Sequence, residues 1–173
     1  MKLSIADLKK VLRYDPITGF FFWEICSRPS GFVIKAGDRA GTEKKNPSRR
    51  QIIYLGRRYQ EHRLAYAFMT GEWPPKGFDV DHIDEDATNN NWSNLRLATR
   101  TQNQWNRSNP PKHNKSGNTG VSWCNTRNKW IAKIYKEGSG IHLGYFNSKE
   151  GAVAARLAAE QKYCGEFAPN RRL

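Results

Sequence analysis

The sequence predicts an α+β fold in two parts, and three stretches carry that prediction. Residues 78–106 read as strand, polar loop, strand and short helix. Residues 20–69 hold an aromatic strand and a hairpin ahead of a helix. Residues 120–163 hold three short strands and an alanine-rich helix. The chain has 173 residues, enough for one ordinary domain or two small ones.

The middle stretch organises the rest. Phe78, Val80 and Ile83 give an apolar alternation, and Asp81 and His82 stand within it, a carboxylate beside an imidazole. The Asn-rich segment that follows cannot bury itself and reads as loop. Asn94-Leu95-Arg96-Leu97-Ala98-Thr99 alternates as a second strand. Thr99 or Thr101 can cap a short helix carrying Gln102, Asn103, Gln104 and Asn106. This order gathers a base and metal ligands within few residues. A carboxylate and an amide oxygen suit Mg²⁺, or another divalent cation such as Mn²⁺. Zn²⁺ prefers Cys and His, and His82 is the one histidine of the stretch. An unperturbed imidazole, with a pKa of roughly 6.5, suits a general base near neutral pH.

The stretch resembles the His-Asn-His (HNH) nuclease motif, in its His-Asn-Asn form, of phage and intron homing endonucleases with a ββα-metal (His-Me finger) fold. The resemblance implies that His82 is the general base and Asp81 a metal ligand. It implies that Asn94, twelve residues after the histidine, braces the loop, and that Asn103, twenty-one residues after it, is the last ligand on the helix. His82 would then deprotonate the attacking water, and a cation held by Asp81 and Asn103 would bind the scissile phosphate. Other branches of the family carry a histidine on the helix where this chain has Asn103.

A formal charge of +13 and a pI near 9.9 call for an anionic partner, most simply nucleic acid, and the nuclease resemblance implies double-stranded DNA. No apolar run approaches membrane-spanning length, and no basic amphipathic helix stands out. The N-terminus breaks into charges too soon for a signal peptide, which makes a cytoplasmic protein the expectation, in the host cytoplasm if phage-encoded. Cys26, Cys124 and Cys164 are far apart, and His62, His82, His113 and His142 are equally scattered. That spacing argues against a structural zinc site and a disulfide framework.

In chain order, Ser4 can cap a first helix whose apolar face is Ile5, Leu8, Val11 and Leu12. Residues 14–19 read as a turn, and Phe20-Phe21-Phe22-Trp23-Glu24 as a core strand. Residues 26–50 read as loop, including a basic run in which Lys44, Lys45, Arg49 and Arg50 are candidate phosphate contacts. A hairpin over 51–61 turns at Gly56-Arg57, and a helix follows over 62–69. His62 reads as structural: in phage nucleases similar to this chain, the His-Arg-Leu opening of this helix packs next to the finger. Arg96 joins the candidate DNA contacts.

Asn109 to Gly117 reads as a linker, stiffened by Pro110 and Pro111. Beyond it, Lys129 to Lys136 alternates, with Trp130, Ala132 and Ile134 on one face and Lys133 and Tyr135 on the other. Ile141 to Phe146 gives a third strand after Gly138-Ser139-Gly140, and Asn147-Ser148-Lys149-Glu150 resembles a capping box. Ala152, Ala155 and Ala159 would let the helix lie close against a three-stranded antiparallel sheet. Residues 118–170 resemble the APETALA/ethylene-response-factor DNA-binding domain in their Gly-Val, Trp-x-Ala, Leu-Gly-x-Phe and alanine-rich helix. The resemblance implies an open sheet face in the major groove, here bearing Ser122, Arg127, Lys129, Lys133, Tyr135 and His142, with Arg156 near a phosphate. Several positions that are Arg or Trp in plant members are Ser, Tyr or His here, so their base preference does not transfer.

The expected organisation is an N-terminal basic segment with a hairpin and helix (1–60), the nuclease core (61–108), a linker (109–117) and a DNA-binding domain (118–173). The expected activity is that of a metal-dependent HNH DNA endonuclease of the homing type, acting as a monomer or weak dimer with no obligate protein partner. The rival readings are a non-catalytic, sequence-specific DNA-binding regulator with a structural finger and an RNA-processing nuclease. Plasmid nicking in Mg²⁺ against EDTA separates the first, and competition between DNA and RNA duplexes the second.

Overall fold

The computed structural model describes residues 4–26, 33–45, 48–106, 114–136 and 138–169. The chain forms two compact units, Met1–Thr99 and Arg100–Leu173.

The first unit begins with helix α1 (Ile5–Lys9), whose N-terminus is closed by the Ser4 hydroxyl accepting from the Asp7 amide at 3.1 Å. The helix is one turn shorter than its apolar periodicity suggests. Leu12 leaves it to open strand β1 (Leu12–Asp15), paired antiparallel with β2 (Phe20–Trp23), Leu12 opposite Trp23. Leu12, Phe21 and Trp23 enter the core from this hairpin, so cross-strand burial outweighs one more helical turn. Asp15 folds the turn by accepting from the Ile17 amide and the Thr18 hydroxyl at 2.9 and 2.8 Å. Gly19 completes it at φ 73°.

Strands β3 (Thr42–Lys45), β4 (Ser48–Tyr54) and β5 (Arg57–Gln60) form an antiparallel sheet in that order. The basic run expected as loop is therefore a hairpin, with Lys44 opposite Arg49; its Asn46 and Pro47 lie outside the described residues. All four residues of β3 are exposed, so no apolar alternation announces the strand. Leu55 and Gly56, both at positive φ, make the β4–β5 turn. Helix α2 (Glu61–Thr70) follows and ends at Gly71 in the left-handed region.

Strands β6 (Phe78–His82) and β7 (Leu95–Thr99) pair antiparallel, with Asp81 opposite Arg96 and His82 opposite Leu95. The expected alternation holds for Val80 alone. Phe78 and Ile83 are exposed, while Val80, Asp81 and His82 are buried together at the end of the strand. One core unites the unit, drawing Leu8 from α1, Phe21 from β2, Ile52 from β4, Leu64 from α2 and Val80 and Leu95 from the β6–β7 hairpin. Burying a side chain the size of Phe21 stabilises by about 2–3 kcal/mol.

The second unit holds α3 (Arg100–Trp105), strands β8 (Val121–Cys124), β9 (Lys129–Lys136) and β10 (Ser139–Phe146), and α4 (Lys149–Cys164). Its antiparallel sheet runs β10-β9-β8. The Ser148 hydroxyl caps α4 by accepting from the Gly151 amide at 3.1 Å. Ala152 and Ala159 pack on Val121, Ala132 and Ile134, the small side chains bringing helix and sheet close. Trp105 of α3 packs beside Ile134 and Cys164, and its indole N–H donates to the Tyr135 carbonyl at 3.2 Å. Most of the expected linker, His113 included, lies outside the described residues. Its end is a turn in which the buried Ser116 hydroxyl donates to the Val121 carbonyl at 2.6 Å.

Candidate active site

Asp81 and His82 are adjacent on β6, so their side chains leave opposite faces of the strand. Asp81 is buried, and its Oδ2 accepts from Nε of Arg96, directly across the hairpin, at 3.1 Å. His82 turns toward α2. Its ring meets that of His62 edge to face, centroids 5.2 Å apart, and its Nε2 lies 3.0 Å from Oδ1 of Asn90. Burial holds the His62 imidazole far below its ordinary value, at about 3, helped by the nearby His82, Arg49 and Arg63. His62 is therefore a neutral wall beside His82.

The loop between the strands is held by side-chain amides. Asn94 Nδ2 donates to Asp84 Oδ1 and to the Asn89 carbonyl, both at 2.8 Å, and its Oδ1 accepts from the Asp84 amide at 3.0 Å. Asn89 Nδ2 donates to Asp84 Oδ2 at 2.7 Å. The β1–β2 turn braces the far side. The Trp92 amide donates to the Pro16 carbonyl at 2.9 Å, Asn91 Nδ2 donates to the Ile17 carbonyl, and the Tyr14 hydroxyl donates to the Asn90 carbonyl at 2.7 Å. Burial pushes the Tyr14 phenol well above its ordinary range, so it stays a donor.

Two residues of this cluster carry no signal in motif spacing. Asn90 is one of three consecutive asparagines, and nothing local singles it out. Glu61 does leave a trace: it precedes Leu64 and Ala65 by three and four positions, on the face of α2 that enters the core. Its Oε2 accepts from Asn90 Nδ2 at 3.2 Å and from Arg50 Nε at 3.1 Å. An acid on the apolar face of a helix asks for a partner, and Arg50 and Asn90 supply one.

The other candidate residues fall into distinct settings. Asn103 lies half-buried on α3, in the second unit. Lys44, Lys45 and Arg49 are exposed on the β3–β4 hairpin. Arg50 is taken by Glu61, and Arg96 by Asp81. In the second unit, register pairs Ser122 with Ile131, Lys133 with His142 and Ile131 with Tyr145, and strand alternation adds Lys129 and Tyr135 to the same face. The Arg127 guanidinium lies 4.7 Å from the centroid of the Tyr145 ring. Arg156, expected near a phosphate, is instead buried, donating from Nε to Glu160 Oε1 at 2.7 Å and from Nη1 to the Lys133 carbonyl. It holds α4 to the sheet.

Among the described residues no group of three or more His, Cys, Asp and Glu converges. By chemistry, the Asp81 carboxylate in the first unit and the Asn103 amide in the second are each the kind of oxygen donor that suits a hard divalent ion keeping most of its waters.

A β-hairpin with Asp-His on its first strand and an amide-braced loop defines the chain's class. Residues 59–105 match the family model described as HNH endonuclease. The chain is 34% identical over 150 residues to an uncharacterized HNH endonuclease of Acanthamoeba polyphaga mimivirus, covering 86% of this chain and 71% of that protein. It belongs to the HNH endonuclease family, a class of nuclease enzymes that generally depend on divalent metal. It is also similar to Protein 3.8 of Escherichia phage T7, at 44% identity over 64 residues, 37% of this chain; the match spans about half, 52%, of that relative's length. No solved structure matches the chain. Among the described residues, no helix is long and apolar enough to cross a membrane.

Proposed function

We propose that the chain is a metal-dependent DNA endonuclease of the homing type that hydrolyses phosphodiester bonds in double-stranded DNA. The supporting observation is the buried Asp81–His82 pair at the end of β6, the imidazole held at Nε2 by Asn90 and the adjoining loop braced by Asn94. A surface ion pair needs no such enclosure.

His82 takes the proton from the attacking water. Asn94 keeps the loop in place, and Asp81, its Oδ2 accepting from Arg96, is the carboxylate read as a metal ligand. Asp81 and Asn103 would hold the cation, taken here as Mg²⁺ or Mn²⁺, which when bound polarises the scissile phosphate and compensates charge on the leaving oxygen. Lys44, Lys45 and Arg49 supply phosphate contacts, which bring affinity and register. The second unit is read as an APETALA/ethylene-response-factor-like module, comprising 118–173 after a linker at 109–117. Its face of Ser122, Arg127, Lys129, Lys133, Tyr135 and His142 selects the site. Arg50, Arg96 and Arg156 act instead through their carboxylate partners.

The test is nicking of a supercoiled plasmid. Cleavage in Mg²⁺ that stops on addition of EDTA is the expected result. A pure protein that binds duplex DNA yet leaves it intact in both Mg²⁺ and Mn²⁺ would replace this reading with that of a DNA-binding regulator.

A further inference from the structure

We infer that Glu61 and Asn90 are positioning residues for His82, forming a relay that fixes which imidazole nitrogen carries the proton. The inference rests on the reading of His82 as the general base. Asn90 is 1% exposed, so its amide cannot satisfy itself with solvent. Nδ2 donates to Glu61 Oε2 at 3.2 Å, and a carboxylate oxygen only accepts. The carbonyl end of the amide must then face the other way, and Oδ1 lies 3.0 Å from His82 Nε2. An amide oxygen cannot donate, so Nε2 is the N–H nitrogen. A neutral imidazole has one N–H, which leaves the basic lone pair on Nδ1.

Both ends of the relay are anchored. Glu61 Oε2 also accepts from Arg50 Nε at 3.1 Å, and Arg50 Nη2 donates to the Gly41 carbonyl at 3.5 Å. Gly41 makes room for the other oxygen: a Cβ there would lie 2.1 Å from Glu61 Oε1, so only glycine lets the carboxylate sit where it does. The Asn90 backbone is held by the Tyr14 hydroxyl at 2.7 Å. Glu61 is wholly buried, and its Oε1 has no hydrogen-bond partner among the described residues. A buried carboxylate with an unsatisfied oxygen is a costly way to fill space, and an apolar side chain would pack there more cheaply. What the acid does that a leucine would not is fix the direction of the Asn90 amide. In the reaction the proton of the attacking water passes to Nδ1, and Nε2–H still points at the Asn90 oxygen in the imidazolium that results. The logic is that of the acid in a serine-histidine-aspartate triad, with a neutral amide placed between acid and base.

The test reads the His82 tautomer directly, by long-range ¹H–¹⁵N correlation of the imidazole in the full-length protein, alongside Mg²⁺-dependent plasmid nicking and DNA affinity. The wild type is expected to show pyrrole-type Nε2 and pyridine-type Nδ1. Glu61→Gln keeps an acceptor for Asn90 and for Arg50, so it should keep that signature and cut within about threefold of the wild-type rate. Glu61→Leu and Asn90→Leu should lose the single tautomer and slow cutting on the order of 100-fold, with DNA affinity unchanged. A wild-type His82 protonated at Nδ1 would overturn the relay, as would an Asn90→Leu protein with unaltered signature and rate. Should either leucine variant fail to fold, the wild-type spectrum and Glu61→Gln decide. A wild-type protein that cuts nothing counts against the nuclease reading alone, because the tautomer is measured without turnover.

Discussion

His62 and His82 touch edge to face, and the proposed function gives the two imidazoles different work. Replacing His82 with Ala should lower the nicking rate by about 10²–10⁴-fold and leave DNA affinity within a few fold, because a general base acts in the transition state and not in docking. A His82→Ala protein cutting at the wild-type rate would move the base elsewhere. For His62 the readout is stability. Its folded-state pKa, about 3, lies below the ordinary value of 6.5, so between those values the unfolded chain binds the extra proton. The stabilisation from keeping it neutral is complete above about 6.5 and is lost as pH falls toward 3, with a slope of at most about 1.4 kcal/mol per pH unit. Glu61, pushed upward by burial against the opposing pull of Arg50, works in the opposite sense as pH rises above its ordinary value. Comparing urea unfolding of wild type and His62→Leu from pH 4 to 7 therefore isolates the imidazole. The wild type should lose stability faster on acidification, and parallel curves would show that His62 does not stay neutral.

At the scale of elements, the β1–β2 hairpin holds the loop between β6 and β7 from behind. A Cβ on Gly19 would lie 2.3 Å from the Asn90 carbonyl carbon and from the Asn91 amide nitrogen, and φ at Gly19 is 73°. Gly19→Ala should thus destabilise by about 2–4 kcal/mol, from backbone strain and overpacking together, read as a lowered urea midpoint with unchanged slope. An unchanged midpoint would mean that the turn does not bear on the loop. The same hairpin shows how far a sequence alone reaches. The strand at Phe20–Trp23 is legible from its aromatic run, but its partner Leu12–Asp15 hides in the tail of a helical pattern. The β3–β4 hairpin is hidden for a different reason. Its first strand is exposed on both faces, so pairing, and not periodicity, makes it a strand. Asp81, His82 and Asn94 are legible because backbone type and spacing dictate them. Glu61 and Asn90 join them only through contacts between elements 29 residues apart in the chain.

For the whole molecule, the charge of +13 would make the proposed duplex binding a matter of counterion release. Replacing Lys129 and Lys133 together by Ala, on the face shared with Tyr135, should weaken binding and lower the slope of log K against log salt by roughly 0.9 for each phosphate contact removed. The rate at saturating DNA should hold, because under the proposed function these side chains dock the substrate and do not touch the reacting atoms. A salt slope identical to wild type would take that face out of the interface. By contrast, Arg156→Ala should first lower thermal stability, since it removes an ion-pair partner of the buried Glu160 and the tie to the Lys133 carbonyl.

What the sequence by itself determined is the class of chemistry: an acid-imidazole pair, amides at set intervals and a basic surface are properties of residue type and local order. The tertiary structure decided which of those groups are available. It paired Arg50, Arg96 and Arg156 with carboxylates and left Lys44, Lys45 and Arg49 in solvent. It also brought Glu61 and Asn90 to His82, because a buried polar atom must find its partner in space, wherever in the chain that partner lies.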